Sequence, residues 1–251
     1  LMAKDRQLIK LLQERRQSLI YHTVTGKIDT NGQPITNLKD SGVEWIGKIP
    51  QGWEVRRLKN VAEIVLGKMI KTEASEGYKL KPYLKSKNIG WGELIMNQVE
   101  DMYFSSREMQ LYKLEKNDVL LSEGGEVGKT AIWDSELEEC YIQNSVQRIR
   151  VNNRKLNAKF LFYLSIFYGK SGYYNSIVNS VSIKHLTREI LVNIPVILPS
   201  LQTQQAIADY LDTKTASIDQ AISKIQTRID RLTEYRQSLI YHVVTGKVKV
   251  E

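Results

Sequence analysis

The chain carries the same fourteen-residue segment near both of its ends. Glu14–Lys27 and Glu234–Lys247 agree at twelve of fourteen positions, at an offset of 220 residues. Solenoid repeats recur every 20 to 50 residues or so, and this period is far longer. It fits a globular segment followed by one long helix. The sequence therefore predicts one complete copy of a domain-sized repeat, preceded by the end of another copy.

The identity runs around the whole helix. It includes the apolar Leu19 and Ile20 but also the polar Arg16, Gln17 and Lys27. Packing alone would preserve only the buried stripe, so the match favours a surface that two identical partners contact. Recent duplication would leave the same identity, and both interpretations stay open.

Helical spacing of apolar residues predicts helices at 3–25 and from Leu201 to about His242. Gly26 and Gly246 are placed to end them as left-handed caps. The second helix spans roughly 60 Å at about 1.5 Å per residue. Its apolar positions form a coiled-coil seam that another helix has to cover, and residues 3–25 can cover about half of it. The seam comprises Leu211, Ile218, Ile222, Ile225, Ile229, Leu232, Leu239 and Val243.

Between the helices the patterns are mixed and predict an α+β globular domain. We expect short strands at 61–66, 119–121, 130–133, 145–151 and 194–198, and a helix at 155–168. The segment Gly124–Thr130 superficially resembles a phosphate-binding loop. Glu123 stands where the first glycine would be needed, so we do not predict nucleotide hydrolysis.

The charge distribution favours a polyanionic partner. The net charge is +8 and the pI about 9.3. No Asp or Glu occurs from Cys140 to Arg188, and a lysine cluster occupies 68–87, while 115–139 is acidic. This segregation predicts one nucleic-acid-binding face, although lysines on an ordinary solvated surface are the alternative.

The single cysteine, Cys140, excludes a disulfide framework and fits a reducing cytoplasm. The apolar stretches are too short to cross a bilayer, so we expect a cytoplasmic protein with no membrane contact.

Three stretches together resemble the DNA-specificity (S) subunit of type I restriction–modification enzymes. They are Asp40–Leu58, Ile194–Asp219 and the doubled tail. Ser200 and Thr203 depart from the Pro-Pro-Leu-x-Glu-Gln form that the family often has at the helix start. The interior, roughly 60–190, is where members differ, because each reads its own DNA sequence.

The resemblance implies a domain order. Residues 1–27 would be the end of a first conserved spacer helix, 28–200 one target-recognition domain, and 201–251 a second spacer helix. The helices would pair as an antiparallel coiled coil, with residues 3–25 near Ile207–Ile222. The chain would be a fragment of a two-domain subunit, or a half-subunit that forms a homodimer.

The resemblance also implies a non-catalytic role: reading one half of a bipartite target in double-stranded DNA. Methyltransferase (modification) subunits and a restriction/translocase subunit would be its partners. S-adenosylmethionine, ATP and Mg²⁺ would belong to those subunits, and none to this chain. No methyltransferase Asn-Pro-Pro-Tyr motif, nuclease carboxylate motif or histidine-rich metal motif appears. A stand-alone nuclease and a coiled-coil interaction protein with a basic face are the alternatives.

Candidate DNA-binding residues are amides and cations on predicted loops. Gln and Asn can bond adenine bidentately, which favours the stretch Gln143–Gln147, although a polar turn that enters a strand has the same composition. The candidates are Lys68, Lys71, Lys87, Asn88, Lys129, Gln143, Asn144, Gln147, Arg148, Ser182, Lys184 and His185.

The doubled helix face is the candidate docking surface for the modification subunits. It carries Arg16, Gln17, Tyr21 and His22 in the first copy, and Arg236, Gln237, Tyr241 and His242 in the second.

Overall fold

The computed structural model of the protein describes residues 1–178 and 185–247. The chain divides into two compact units, one helical (1–19 and 210–251) and one globular (20–209). No helix among the described residues combines the length and the apolar character needed to span a membrane. The helices are α1 (Met2–Val24), α2 (Ser106–Tyr112), α3 (Ala158–Lys170), α4 (Tyr173–Ile177), α5 (Arg188–Leu191) and α6 (Leu201–Val244).

The strands are short, as expected for a mixed fold. They are β1 (Leu38–Asp40), β2 (Lys48–Pro50), β3 (Glu54–Arg57), β4 (Ala62–Leu66), β5 (Tyr78–Leu84), β6 (Glu100–Ser105), β7 (Val119–Ser122), β8 (Thr130–Ile132), β9 (Tyr141–Ile142), β10 (Val146–Val151) and β11 (Pro195–Leu198). The predicted mixed α/β class with a long C-terminal helix is confirmed.

In the helical unit, α1 and α6 run antiparallel. Asp5 accepts a hydrogen bond of 3.0 Å from Nε of Arg228, and Arg16 pairs with Asp219 at 2.9 Å. This pairing overlaps the expected range near Ile207–Ile222 at Asp219 and continues past it to Thr233, whose Oγ1 lies 3.6 Å from Sδ of Met2, about three turns beyond Ile222. As a result the seam is covered as far as Ile229, which is buried.

The C-terminal part of α6 lacks such cover within the described residues. Leu239, Ile240, Val243 and Val244 are all exposed, Val244 by 79%. The expectation that α1 covers only part of the seam is therefore confirmed.

The globular unit is built around a four-stranded antiparallel sheet in the order β4-β10-β7-β8. Every residue of β7 is buried, in agreement with its apolar sequence. Helix α3 packs against β7 and β8. It begins at Asn157, whose side chain accepts a hydrogen bond from the Phe160 amide and caps the helix.

A second sheet has the order β6-β5-β9, with β5 and β6 antiparallel and β5 and β9 parallel. The core between the sheets contains Leu84, Trp133 and Ile142, together with Cys140. Burial raises the pKa of the Cys140 thiol to about 12, in line with a small apolar residue.

Candidate nucleic-acid interface

Several turns emerge from the same end of the four-stranded sheet. Leu66 pairs with Gln147, Gln147 with Leu121, and Leu121 with Thr130, so these four residues lie side by side. The chain beyond them forms the segments Gly67–Lys71, Glu123–Lys129 and Gln143–Ser145. We call these three segments, together with Lys85–Asn88, the convergent end.

Segment Lys85–Asn88 joins the convergent end because β5 and β9 are parallel. Leu84 pairs with Ile142, so the chain leaves both strands in the same direction. The Gln143 amide donates to the Leu84 carbonyl at 3.0 Å. The two sheets therefore meet at the turn that follows β9.

Three serines connect these segments. The Ser86 amide donates to Oγ of Ser145 at 2.9 Å, and Oγ of Ser86 shares a hydrogen bond with Oγ of Ser122. Ser122 donates in turn to the Gly124 carbonyl at 2.8 Å. Ser145 lies in the stretch Gln143–Gln147 that the sequence singled out, whereas Ser86 and Ser122 were not predicted. The only signal was their position at the ends of apolar strands, which is common to many turns.

The Gln143–Ser145 turn is arranged by its own side chains. Oε1 of Gln143 accepts from both the amide and the hydroxyl of Ser145. Nε2 of Gln143 donates to Oδ1 of Asn144. Among the described residues Nδ2 of Asn144 has no hydrogen-bond acceptor, and the side chain is partly exposed. Asn144 is therefore better placed than Gln143 to bond an outside group.

Lys68 belongs to the framework of the convergent end. Its amide donates to the Ile142 carbonyl at 3.0 Å, and its carbonyl accepts from the Asn144 amide at 2.8 Å. The side chain is buried and paired with Glu108. Nζ of Lys71 lies 5.0 Å from the ring centre of Tyr78, a cation–π contact that leaves it partly exposed.

Glu100 holds two more of the lysines. Its carboxylate accepts hydrogen bonds from Nζ of Lys85 and, at 2.8 Å, from Nζ of Lys87. Together with the hydroxyl of Tyr83, these bonds lower the pKa of the Glu100 carboxyl to about 2. Lys87 is exposed, but a phosphate would have to compete with Glu100 for it.

Three more candidates are buried as Lys68 is, and the predicted DNA contacts of all four need correction. Asn88 is 0% exposed, and its amide bonds the backbone at Lys85, Ile95 and Gln98. Gln147 is also 0% exposed. Arg148 donates to the carbonyls of Leu111 and Lys113 and pairs with Glu63. Asn88 and Arg148 hold neighbouring backbone segments through these bonds, and Gln147 lies in the interior of β10, where its Oε1 has no hydrogen-bond partner among the described residues.

Lys129 and His185 lie around the turn between β7 and β8. Nζ of Lys129 pairs with Glu126 at 3.0 Å. A Cβ added at Gly124 would lie 3.4 Å from the ring of His185, so this exposed histidine stands beside the turn. Burial raises the pKa of the neighbouring Glu123 carboxyl. Ser182 and Lys184 lie outside the described residues.

The two copies of the doubled segment differ in exposure. In the first copy Ile20 and Val24 are buried, and the ring of Tyr21 lies 5.1 Å from that of Phe167. In the second copy Ile240, Tyr241 and Val244 are exposed. Packing against a globular domain therefore accounts for part of the sequence identity.

Gly26 fits tightly in the first copy. A Cβ there would lie 2.4 Å from Cγ of Pro50 and 2.9 Å from the Trp53 ring, and the residue has φ of 66°. Only glycine combines this conformation with this contact. The buried part of the first copy comes after Arg16 and Gln17. The second copy, which is exposed, carries Arg236, Gln237, Tyr241 and His242.

Comparison with known proteins assigns the family. Residues 50–231 match the family model of the type I restriction modification DNA specificity domain. The chain is 28% identical over 221 residues to the type I restriction enzyme MjaVIII specificity subunit of Methanocaldococcus jannaschii. That match covers 82% of this chain and 48% of the relative.

Solved structures share the fold. The HsdS subunit from Thermoanaerobacter tengcongensis superposes with a TM-score of 0.55 at 19% identity, over 98% of this chain and 56% of that one. A chain from a structure described as the basis of complex assembly and conformational transition of the type I R-M system gives 0.63 at 18% identity, over 96% and 55%.

The chain spans about half the length of the relatives it matches. The family model covers most of the globular unit and much of α6, including β4 to β10 and the convergent end. The resemblance seen in the sequence is thereby confirmed, and the chain belongs to the type I restriction modification DNA specificity domain family.

Proposed function

We propose that the chain reads one half of a bipartite target in double-stranded DNA, and that it does so with the convergent end. The observation that carries the proposal is the meeting of four loop segments around Asn144, in a chain of this family. Loops held by a rigid sheet are where binding residues are commonly found. Asn144 offers an amide suited to adenine, and Lys71 and Lys129 offer cations suited to phosphates.

The proposed role is recognition without chemistry. S-adenosylmethionine, ATP and Mg²⁺ would be supplied by modification and restriction subunits, and this chain would direct them to a sequence. A stand-alone nuclease is the competing function. Incubating the purified chain with Mg²⁺ and duplex DNA separates the two, because cleavage without partner subunits would contradict the proposal.

Selection from random duplexes tests DNA reading directly. The chain should enrich one short sequence, with affinity that falls as salt rises. Asn144→Ala should relax the preference at one base pair by about 1–3 kcal/mol, whereas Lys71→Ala should weaken all sequences alike. Equal behaviour of the two variants would overturn the assigned roles, and no enriched sequence would overturn the function.

We further propose that the second copy of the doubled segment, Glu234–Lys247, docks a partner. Its exposed apolar residues and its polar face support this, because exposed apolar surface bordered by polar groups marks interaction sites. The first candidate partner is a modification subunit. A second half-subunit is the alternative, because the buried first copy provides an example of how a globular domain covers such a segment.

The doubled sequence supplies its own control for the docking test. Gln237→Ala with Tyr241→Ala should weaken capture of modification subunits and leave the chain folded. Gln17→Ala is the matched change in the first copy. If changes in either copy reduce capture equally, both copies contact identical partners. If the changes in the second copy do not reduce capture, the docking proposal fails.

A further inference from the structure

Two apolar side chains project from the convergent end. Met69 is 74% exposed and Ile70 is 58% exposed. They are adjacent in sequence and lie between Lys68 and Lys71. Burying one such side chain is worth about 1.5–3 kcal/mol, so two neighbouring exposed ones in a well-packed region call for an explanation.

The chain is fixed on both sides of the pair. Gly67 and Lys68 donate backbone hydrogen bonds to the carbonyls of Val146 and Ile142, at 3.1 and 3.0 Å. On the other side the Lys71 carbonyl accepts from the Tyr103 amide at 2.9 Å. Met69 and Ile70 are the two residues between these attachments. Their exposure is therefore set by the fold.

The attachment at Gly67 is especially close. A Cβ at this position would lie 2.4 Å from the carbonyl oxygen of Gln143. Only glycine at position 67 therefore lets the chain pass so close to the Gln143–Ser145 turn. The next carbonyl, that of Lys68, accepts from the Asn144 amide at 2.8 Å. Met69 therefore directly follows Lys68, the residue whose carbonyl bonds the Asn144 amide.

The chemistry of an A·T pair matches this arrangement. In the major groove adenine presents N7 and N6, and thymine presents O4 and its C5-methyl group. An amide can bond adenine, and an apolar side chain can contact the methyl group of the same or the next pair. Lys71, which follows the pair and is partly exposed, favours DNA over an apolar protein surface as the occupant.

We propose that Met69 and Ile70 contact thymine methyl groups in the major groove, beside the base pair that Asn144 reads. The inference rests on the proposed DNA-reading function and names two further specificity-determining residues for it. The apolar contacts would add to the discrimination that the Asn144 amide provides, and would extend it to the thymine of the same or the next pair.

Replacing thymine by uracil tests the inference, because uracil lacks only the methyl group. The target selected by the chain is resynthesised with deoxyuridine at one thymine position at a time. Wild-type protein should lose about fourfold in affinity at one or two positions, as expected for one buried methyl group. The Met69→Ala/Ile70→Ala variant should bind the thymine target more weakly and show no loss with uracil at those positions.

Leu137→Ala is the control. This leucine is also exposed, but it lies in the acidic stretch 134–139, where DNA is not expected. It should keep the sensitivity to uracil. All three side chains are exposed, so the variants should retain the unfolding temperature of the wild type.

The outcomes separate the two proposals. If wild-type protein selects no sequence, the proposed function fails. If it selects one but tolerates uracil everywhere, or if the double variant remains sensitive to uracil, only the present inference fails. A 2-aminopurine signal that rises on binding and depends on Met69 or Ile70 would indicate insertion between bases and would likewise overturn the groove contact.

Discussion

Asn88 and Asn144 carry the same side chain on neighbouring turns, but their surroundings make them different. The amide of Asn88 is fully buried and bonds three backbone groups. Asn144 is partly exposed, and the Gln143 side chain orients it. Composition cannot separate these two roles, because both residues occur in polar, turn-rich stretches.

Replacing Asn88 by alanine should therefore reduce stability and leave base preference intact. Three backbone groups would lose their partners, which costs roughly 2–4 kcal/mol in the free energy of unfolding. Urea denaturation measures this loss, and selection from random duplexes measures preference. Lys87→Ala in the same turn is the control and should change stability by less than about 1 kcal/mol, since its ion pair with Glu100 lies at the surface. If the variant selected a different target sequence and kept its stability, Asn88 would be a DNA-contacting residue after all.

At the scale of elements, strongly patterned segments could be predicted from the sequence. Helices α1 and α6 and strands β4, β7, β8, β10 and β11 all lie within three residues of their predicted ends. Each has an apolar face or run that only one kind of secondary structure can bury.

Strands β5 and β6 were missed for a physical reason. The sequence of β5 carries lysines at 79 and 81 and a proline at 82, which reads as a loop. Its stability comes from pairing with β6 and β9, contacts between distant parts of the chain that local sequence does not encode. Lys81, for example, pairs with Glu139. The convergent end depends on the same pairing, so its loop set could be predicted only in part.

The doubled segment gives a matched prediction at this scale. Val24 is 0% exposed and Val244 is 79% exposed, although both occupy the same place in the repeat. Val24→Ala should lower the free energy of unfolding by roughly 1.5–3 kcal/mol, because it removes buried methyl groups and leaves a cavity. Val244→Ala should change it by less than about 0.5 kcal/mol. Urea denaturation of the isolated chain compares them, and similar losses would mean that the second copy is also covered.

At the scale of the whole molecule, the positive charge is less available than its sum suggests. The net charge is +8, but Lys68, Lys81, Lys85 and Lys87 already have carboxylate partners. These pairs could not be foreseen, because Glu100, Glu108 and Glu139 lie far from the lysines in sequence. Three carboxylates therefore offset part of the charge of the lysine cluster seen in the sequence.

Glu100→Gln should expose this hidden charge. The variant removes the negative charge that pairs with Lys85 and Lys87, so affinity for unrelated duplexes should rise. The slope of log affinity against log salt should steepen by about 1 to 2, as expected for up to two further phosphate contacts. Fluorescence anisotropy across a salt series measures both, with Glu73→Gln as the control, since this exposed glutamate forms no ion pair among the described residues. An unchanged slope would mean that these lysines face away from DNA.

The pairing of lysines with glutamates also bears on how fast such a protein finds one site in a genome. A freely basic surface would hold the protein on every stretch of duplex that it meets, and dissociation would limit the search. A surface whose cations are already occupied releases unrelated DNA readily. If the chain reads DNA as proposed, base contacts would then set its residence time, and the carboxylates paired with the lysines would shorten its stay on unrelated duplex.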